Sequence, residues 1–248
     1  MRPGILLLLF LVMPAPAARA TDIVTGLVGH WKLDETSGTT ARDASGKGHP
    51  GTLYNIASPA TATSGWTSSG RFNGALAFDG SNDYVLVSGL TWTPVAFSVA
   101  WWIYPLTSVN YNQGMMASVG WGAWDAHTST AGAMYVGTDG TTRFSPSELP
   151  AGTMELNKWQ FFTYTYNGSQ GRFYKDGALV AGPKTQNQSV AWGGFSMGIG
   201  IANNTINGSI DDVRIYNRAL TQTDITALYN NGGPTTIRNA RIGRAVIR

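Results

Sequence analysis

Before residue 210, six Asn-Gly or Asp-Gly dipeptides recur along this 248-residue chain, and they constrain its fold more than any other feature. Such dipeptides favour positive φ angles and are typical of the tight turns that join antiparallel strands. They stand at 73–74, 79–80, 139–140, 167–168, 176–177 and 207–208. Aromatic and β-branched segments separate them, and helix signals are nearly absent. The pattern therefore predicts many short strands joined by hairpin turns.

Two segments, 97–104 and 159–166, are strong strand candidates because most of their positions are apolar or aromatic. Alternate residues of a strand point to opposite faces, so such a segment is covered on both sides. We expect both strands near the centre of a sheet, and we expect the second to turn through Asn167 and Gly168 into residues 172–175.

One helix is predicted near the end of the chain, over residues 221–229. Thr221 followed by Asp224 fits a variant of the capping box. An apolar stripe of Leu220, Ile225 and Leu228 can pack on the edge of a sandwich. Strand after strand with one late helix predicts an all-β fold, a two-sheet antiparallel β-sandwich (jelly roll) with one short C-terminal helix.

Residues 1–20 have the pattern of a secretory signal peptide. Arg2 gives a positive start, residues 5–13 are an unbroken apolar run, and 18–20 form a small-x-small cleavage site. We expect a secreted, cell-surface or periplasmic protein whose mature chain begins at Thr21, with an uncleaved membrane anchor as the alternative. The apolar run is short for a bilayer and no later stretch is longer, so no transmembrane segment is expected in the mature chain.

The basic charge of the chain is concentrated at its two ends. Six of the 17 basic side chains lie outside residues 21–233, which leaves 11 against 14 acidic ones and a net charge of −3. A mildly acidic domain argues against a nucleic-acid partner. We expect the domain to span 21–231 and residues 232–248 to form a flexible basic tail, with weak contact to an acidic surface as the alternative for the tail.

Catalytic motifs are sparse, and we expect no enzyme. Glycosidases need two carboxylates at a set separation, and the three glutamates of the chain form no Glu-x-Asp-x-x-Glu pattern. The three histidines, His30, His49 and His127, accompany no Gly-x-Ser-x-Gly elbow, and we expect them at surface or turn positions. The chain has no cysteine, so it folds without disulfides, and a bound metal is one alternative source of stability.

Acidic residues cluster in a few turns, and this clustering points to a metal site. Calcium takes several oxygen ligands, including backbone carbonyls, and glycine-rich acidic turns supply both kinds. The clusters are 34–35, 43, 79–83 and 211–212. The alternative is that these aspartates only shape Asx-turns. Within the strand predicted from residue 208, the adjacent Asp211 and Asp212 cannot both face water in simple alternation, so one of them has a specific role.

Six segments resemble, in order, a laminin-G-like domain of the concanavalin-A-like lectin/glucanase superfamily. They are 29–38, 43–51, 74–85, 97–104, 158–177 and 208–220. The resemblance implies a jelly roll whose first and last strands lie together. Glycosidases of this superfamily use a Glu-x-Asp-x-x-Glu strand. This chain lacks that pattern, so the resemblance does not imply catalysis.

The same resemblance implies a structural calcium ion, bound by an aspartate of the last strand and by carbonyls of earlier strands. Asp211 is the best match for that aspartate, and Asp79 or Gly80 for the carbonyl site. Asp34 is a further candidate. Asp212 is then expected to face a turn or a basic neighbour.

Aromatic side chains are candidates for a ligand surface, because sugars stack on exposed aromatic rings. We expect Trp121, Trp124 and Asp125 to bind ligand from a loop-like stretch near the surface, although most of the nine tryptophans belong to the core. The predicted function is an exported, non-catalytic binding module for glycans or other cell-surface ligands. A structural or adhesive protein with protein partners is the alternative, and a polysaccharide-cleaving enzyme is the third.

Overall fold

The structure is a computed structural model that describes residues 23–106, 113–120, 124–138, 142–187, 191–200 and 205–231. The predicted signal peptide, the basic tail, Trp121 and the turn at 139–140 lie outside the described residues. Within the described residues, no helix has the length and apolar character needed to cross a membrane.

The described chain is built from strands, with one α-helix at its end. The strands are β1 (Leu27–Trp31), β2 (Thr40–Ala41), β3 (Gly51–Tyr54), β4 (Gly65–Phe72), β5 (Gly74–Asp79), β6 (Tyr84–Trp92), β7 (Phe97–Pro105), β8 (Gly114–Ser118), β9 (Trp124–Thr128), β10 (Met134–Thr138), β11 (Gln160–Tyr166), β12 (Gln170–Lys175), β13 (Ala178–Thr185), β14 (Trp192–Met197) and β15 (Asn207–Tyr216). A short 3₁₀ turn covers Thr130–Gly132, and helix α1 covers Gln222–Asn231.

The strands form two antiparallel sheets. Sheet A has the order β13-β12-β11-β7-β15-β5-β4, with β1 also paired to β15, and sheet B has the order β10-β9-β8-β14-β6-β3-β2. The first and last strands lie together, with Gly29 opposite Ile215. The predicted all-β sandwich with one late helix is confirmed, and so is the central place of 97–104, since β7 lies between β11 and β15.

A single large core fills the space between the sheets. Bulky side chains from both sheets are fully buried there, among them Trp31, Phe78, Trp101, Trp124 and Phe195. Burying each such side chain stabilises the fold by about 1.5–3 kcal/mol. Burial of this extent is consistent with a chain that holds its fold without disulfides.

Helix α1 covers the outer face of sheet A. Trp102 of β7 points to that face and stacks on Tyr229 of the helix, with ring centroids 5.6 Å apart. Thr221 and Asp224 cap the helix reciprocally, because each side chain accepts the backbone N–H of the other, at 3.2 and 3.0 Å. The predicted capping box is therefore confirmed, and the apolar stripe of the helix, including Leu228, is buried.

A β-bulge in β15 explains the two adjacent aspartates. Asp211 lies opposite Trp102 and Arg214 opposite Ala100, so two residues of β15 face one residue of β7. Asp212 adopts a positive φ of 46° at this point. The extra residue lets Val213 point into the core, while the carboxylates of Asp211 and Asp212 stay out of it.

Candidate ligand-binding groove

The outer face of sheet B carries a row of mostly small side chains. Leu86 lies opposite Ser196, Ser196 opposite Ala117, and Ala117 opposite Asp125. Directly paired residues share one face of a sheet. The neighbours of the row in sequence, such as Phe195 and Met197 of β14, belong to the core, so the row faces outward.

Small residues at the centre of the row leave a groove of about 490 Å³, which we call the sheet B groove. This volume lies within the roughly 300–1,000 Å³ of typical ligand pockets. Strands β6, β8 and β14 supply the floor, and loops at both ends supply the rim. The described lining residues are Asn55, Asn82, Tyr84, Leu86, Ala117, Ser118, Val119, Gly120, Ser196, Ile199 and Gly200.

Among the described lining residues, Tyr84 is the aromatic one, and its ring is supported by a neighbour. Tyr54 lies directly opposite in the β3–β6 register, and the two rings stack with centroids 4.8 Å apart and planes within 7°. Nδ2 of Asn55 donates a hydrogen bond to the carbonyl of Asn82 at 3.0 Å, which ties the two loops beside the rings together. The rim is therefore ordered by contacts that need no ligand.

Asp125 and His127 lie at the β9 side of the groove. Oδ2 of Asp125 is 2.7 Å from Nδ1 of His127, and both residues are buried. The His127 ring stacks on Tyr135, and the Arg143 guanidinium lies over the Tyr135 ring. A Cβ placed on Gly200, a lining residue, would be 3.7 Å from Oδ2 of Asp125. The carboxylate thus lies just behind the groove wall.

The prediction that Trp124 lies near the surface is wrong. Its side chain is 0% exposed and packs on Tyr164 and Trp192 in the core, because β9 directs Trp124 inward and Asp125 outward. Asp125 is also fully buried, although it faces the groove side of the sheet. Trp121, the third candidate, lies outside the described residues.

The sequence reasoning missed Tyr54 and Tyr84 as candidate binding residues. A usable signal was present, since each tyrosine is at the end of an alternating segment and close to an asparagine. The expectation that the histidines lie at the surface is wrong for His30 and His127, which are 6% and 5% exposed. Each of the two is held by a buried aspartate.

Asp211 and Asp34 hold the turn between β4 and β5. Oδ2 of Asp211 accepts the N–H of Phe72 at 2.8 Å, and Oδ1 of Asp34 accepts the N–H of Gly74 at 3.0 Å. Oδ1 of Asp211 is buried and has no hydrogen-bond partner. Burial raises the pKa of Asp211 to about 8, and repulsion from Asp212 and Asp34 adds to the rise while the Phe72 N–H opposes it.

Asp79 and Gly80 do not join that site. Asp79 lies opposite Asn207, four residues before Asp211 on β15, which corresponds to about 13 Å along a strand. The Asp79 carboxylate accepts the N–H of Ser81 at 2.8 Å, as the Asx-turn alternative expects. The prediction that they share one ion with Asp211 is therefore wrong. Among the described residues, no group of three or more histidine, aspartate or glutamate side chains is arranged to hold a metal ion.

Asp212 points away from Asp211, into a buried cluster on β1 and β15. Its Oδ1 lies 2.6 Å from Nε2 of His30 and accepts a hydrogen bond from Nη2 of Arg214 at 3.0 Å. The expectation that Asp212 faces a basic neighbour is confirmed. Burial lowers the pKa of His30 below its ordinary 6.5, and the hydrogen bond with Asp212 opposes this shift.

Solved structures with the same fold include carbohydrate-active and toxin proteins. Domain 4 of AbnA, an extracellular GH43 arabinanase from Geobacillus stearothermophilus solved with arabinotriose, is 17% identical at a TM-score of 0.62 and matches 82% of this chain and 98% of that domain. Trypanosoma rangeli sialidase is 16% identical at 0.59, over 83% of this chain and 33% of the sialidase.

The binding domain of Paraclostridial Mosquitocidal Protein 1 is 16% identical at a TM-score of 0.58, over 84% of this chain and 53% of that one. Identities this low show the shared fold alone. No curated protein sequence matches the chain. A laminin G family model described as "Concanavalin A-like lectin/glucanases superfamily" matches residues 79–226, which is more than half of the chain. The chain belongs to this superfamily.

Proposed function

We propose that this protein is a non-catalytic binding module for glycans or other cell-surface ligands, and that the sheet B groove is its binding site. The supported ring of Tyr84 beside the amides of Asn55 and Asn82 carries the proposal. A sugar presents apolar C–H faces and hydroxyl groups together. An aromatic wall with a few polar groups matches both.

The position of the groove supports this assignment. Helix α1 covers the outer face of sheet A, whereas the row from Leu86 to Asp125 carries no helix within the described part of the chain. Similar solved structures include an arabinanase domain in complex with arabinotriose and a toxin binding domain. Both support a binding role for a domain of this architecture.

Binding without catalysis is favoured because Asp125 is the single carboxylate among the described residues of the row. Glycosidases of both stereochemical types use a pair of carboxylates across the scissile bond. The residues directly opposite Asp125 are Ala117 and Gly137, neither of which carries a carboxylate. The Asp125 carboxylate itself is hydrogen-bonded to His127. Incubation with polysaccharides should therefore release no reducing ends. Release that disappears in Asp125→Ala would instead establish an enzyme.

The test of the groove is a comparison of two tyrosine variants. Tyr84→Ala removes the stacking ring and should weaken glycan binding by about tenfold, equivalent to about 1.4 kcal/mol. Tyr104→Ala is the matched control, because Tyr104 is a half-buried tyrosine of sheet A whose ring also contacts a second aromatic ring, that of Trp159, at a tilted angle. Affinity is measured by calorimetry after an array has identified a ligand, and melting curves confirm that both variants fold. Equal affinities in the two variants would move the site elsewhere.

We further propose that Asp211 and Asp34 bind a structural calcium ion beside the β4–β5 turn. The buried Oδ1 of Asp211 has no hydrogen bond, and the carboxylate of Asp34 is close enough to repel it. A hard cation that binds oxygen ligands, such as calcium, fits this pair. When bound, the ion neutralises the two acids and holds β15 to the turn. Chelation should lower the melting temperature, and Asp211→Ala should mimic it, with Asp79→Ala as the control. A melting curve unchanged by chelator would remove the metal.

Export through residues 1–20, with a domain over 21–231 and a flexible tail over 232–248, completes the proposal. The sequence pattern of the first 20 residues supports it. N-terminal sequencing of the protein recovered outside the cytoplasm should begin at Thr21. Recovery of an intact N-terminus in the membrane fraction would favour an uncleaved anchor.

A further inference from the structure

We infer that the sheet B groove selects uncharged saccharides and rejects glycans whose bound residue carries a carboxylate, such as a sialic or uronic acid. The inference rests on the proposed function and narrows its ligand class. It starts from the chemistry of the described lining residues, none of which has an ionisable acid or base other than the phenol of Tyr84.

The polar groups of the described lining residues are neutral. The amides of Asn55 and Asn82 can both donate and accept hydrogen bonds, and the hydroxyl of Ser196, which donates to the carbonyl of Ala117 at 3.2 Å, can accept one. This is the pattern of a sugar hydroxyl, which also donates and accepts. A sugar carboxylate is different, because it only accepts and is best bound by an arginine fork or a lysine.

Among the residues that the structure describes, the charged groups nearest to the groove do not supply such a cation. Asp125 lies behind Gly200 with its carboxylate toward His127. If His127 were protonated, its charge would be compensated by Asp125 at 2.7 Å. Arg143 lies over Tyr135 of β10, the edge strand of sheet B, and β9 separates β10 from the β8 floor. A carboxylate in the groove would therefore lose water without gaining a counter-ion.

The experiment uses matched pairs of ligands on the full mature chain. An array presents neutral oligosaccharides, including arabino-oligosaccharides and lactose, beside acidic counterparts such as sialyllactose and oligogalacturonates with and without methyl esters. The neutral member of a pair should bind about tenfold tighter, and its affinity should change little between low and high salt. Equal or tighter binding of acidic members would overturn the inference while leaving the binding function intact. Binding of no glycan at all would overturn both.

A charge-gain variant tests the mechanism directly. Asn82→Lys places a cation at the exposed rim of the groove, and Asn82 contributes its carbonyl, which the substitution keeps, to the bond with Asn55. The ratio of acidic to neutral affinity should rise about fivefold at low salt and less at high salt. Asn230→Lys adds the same charge on α1, which packs on sheet A, and is the control. A ratio that changes equally in both variants, or in neither, would show that the groove does not discriminate by charge.

Discussion

The substitution Asp211→Asn tests the most unusual electrostatic feature of the fold. The side chain is fully buried, its Oδ2 accepts one backbone N–H, and its Oδ1 has no partner. Its pKa is about 8, against the ordinary value of 3.8, because burial penalises the carboxylate. Asparagine has nearly the shape of the protonated acid and keeps an oxygen for the N–H of Phe72.

The sign of the pH effect follows from proton linkage. Below pH 4 the carboxyl group is protonated in both the folded and the unfolded chain, and it contributes no pH dependence. Between pH 4 and pH 8 the unfolded chain releases the proton while the folded chain keeps it, so stability falls. About 4 pKa units at 1.36 kcal/mol each amount to about 5–6 kcal/mol, fully developed above pH 8. At pH 7 the loss is about 4 kcal/mol.

The assay is urea unfolding of wild type and Asp211→Asn in chelator, at pH 5 and at pH 8. The variant should gain several kcal/mol relative to wild type between the two pH values, because groups such as His30 titrate equally in both proteins. Calcium added at pH 8 should stabilise wild type and leave the variant unchanged. Asp79→Asn, in an Asx-turn, should behave as wild type. Parallel pH dependences in wild type and Asp211→Asn would refute the reasoning.

Three further substitutions test how sheet A is held together, each by urea unfolding. Asp212→Ala leaves Arg214 buried beside His30 without its carboxylate and should lower the free energy of unfolding by about 3–5 kcal/mol. A loss below about 1 kcal/mol would show that the cluster is hydrated. Thr221→Ala removes the helix cap and should cost about 1 kcal/mol, whereas no loss would mean that the cap bonds are replaced by water. Leu228→Ala opens a cavity under the helix and should cost about 2–5 kcal/mol; a small cost would mean that the helix is loosely docked.

The elements that could be predicted from sequence are those whose signals are local. The apolar pattern of 97–104 identified β7, and the spacing of Thr221 and Asp224 identified the start of α1. The inward orientation of the Trp124 side chain could not be predicted from a local sequence pattern. Its glycine and alanine neighbours are typical of a loop, and its direction is set by the register of β9 with β8 and β10.

Pairings between distant strands account for the remaining differences. Tyr54 and Tyr84 meet because β3 pairs with β6, while β4 and β5, which lie between them in sequence, belong to the other sheet. Asp79 and Asp211 are separated for the same kind of reason. Each was assigned to the metal by its own motif, but the β5–β15 register places Asp79 opposite Asn207. The order of the motifs in the sequence does not give the distance between their residues along a strand.

Under the proposed function, the two outer faces of the sandwich carry different tasks. On sheet A, the helix, the buried cluster around Asp212 and the acids at the β4–β5 turn all join β15 to its surroundings, so changes there should alter stability with little effect on affinity. On sheet B, small residues line the floor of the groove, and Tyr84 is supported from the side by Tyr54. Changes there should alter affinity with little effect on stability. Because the core lies between the two sheets, a ligand surface on one face can vary while the other face keeps the fold.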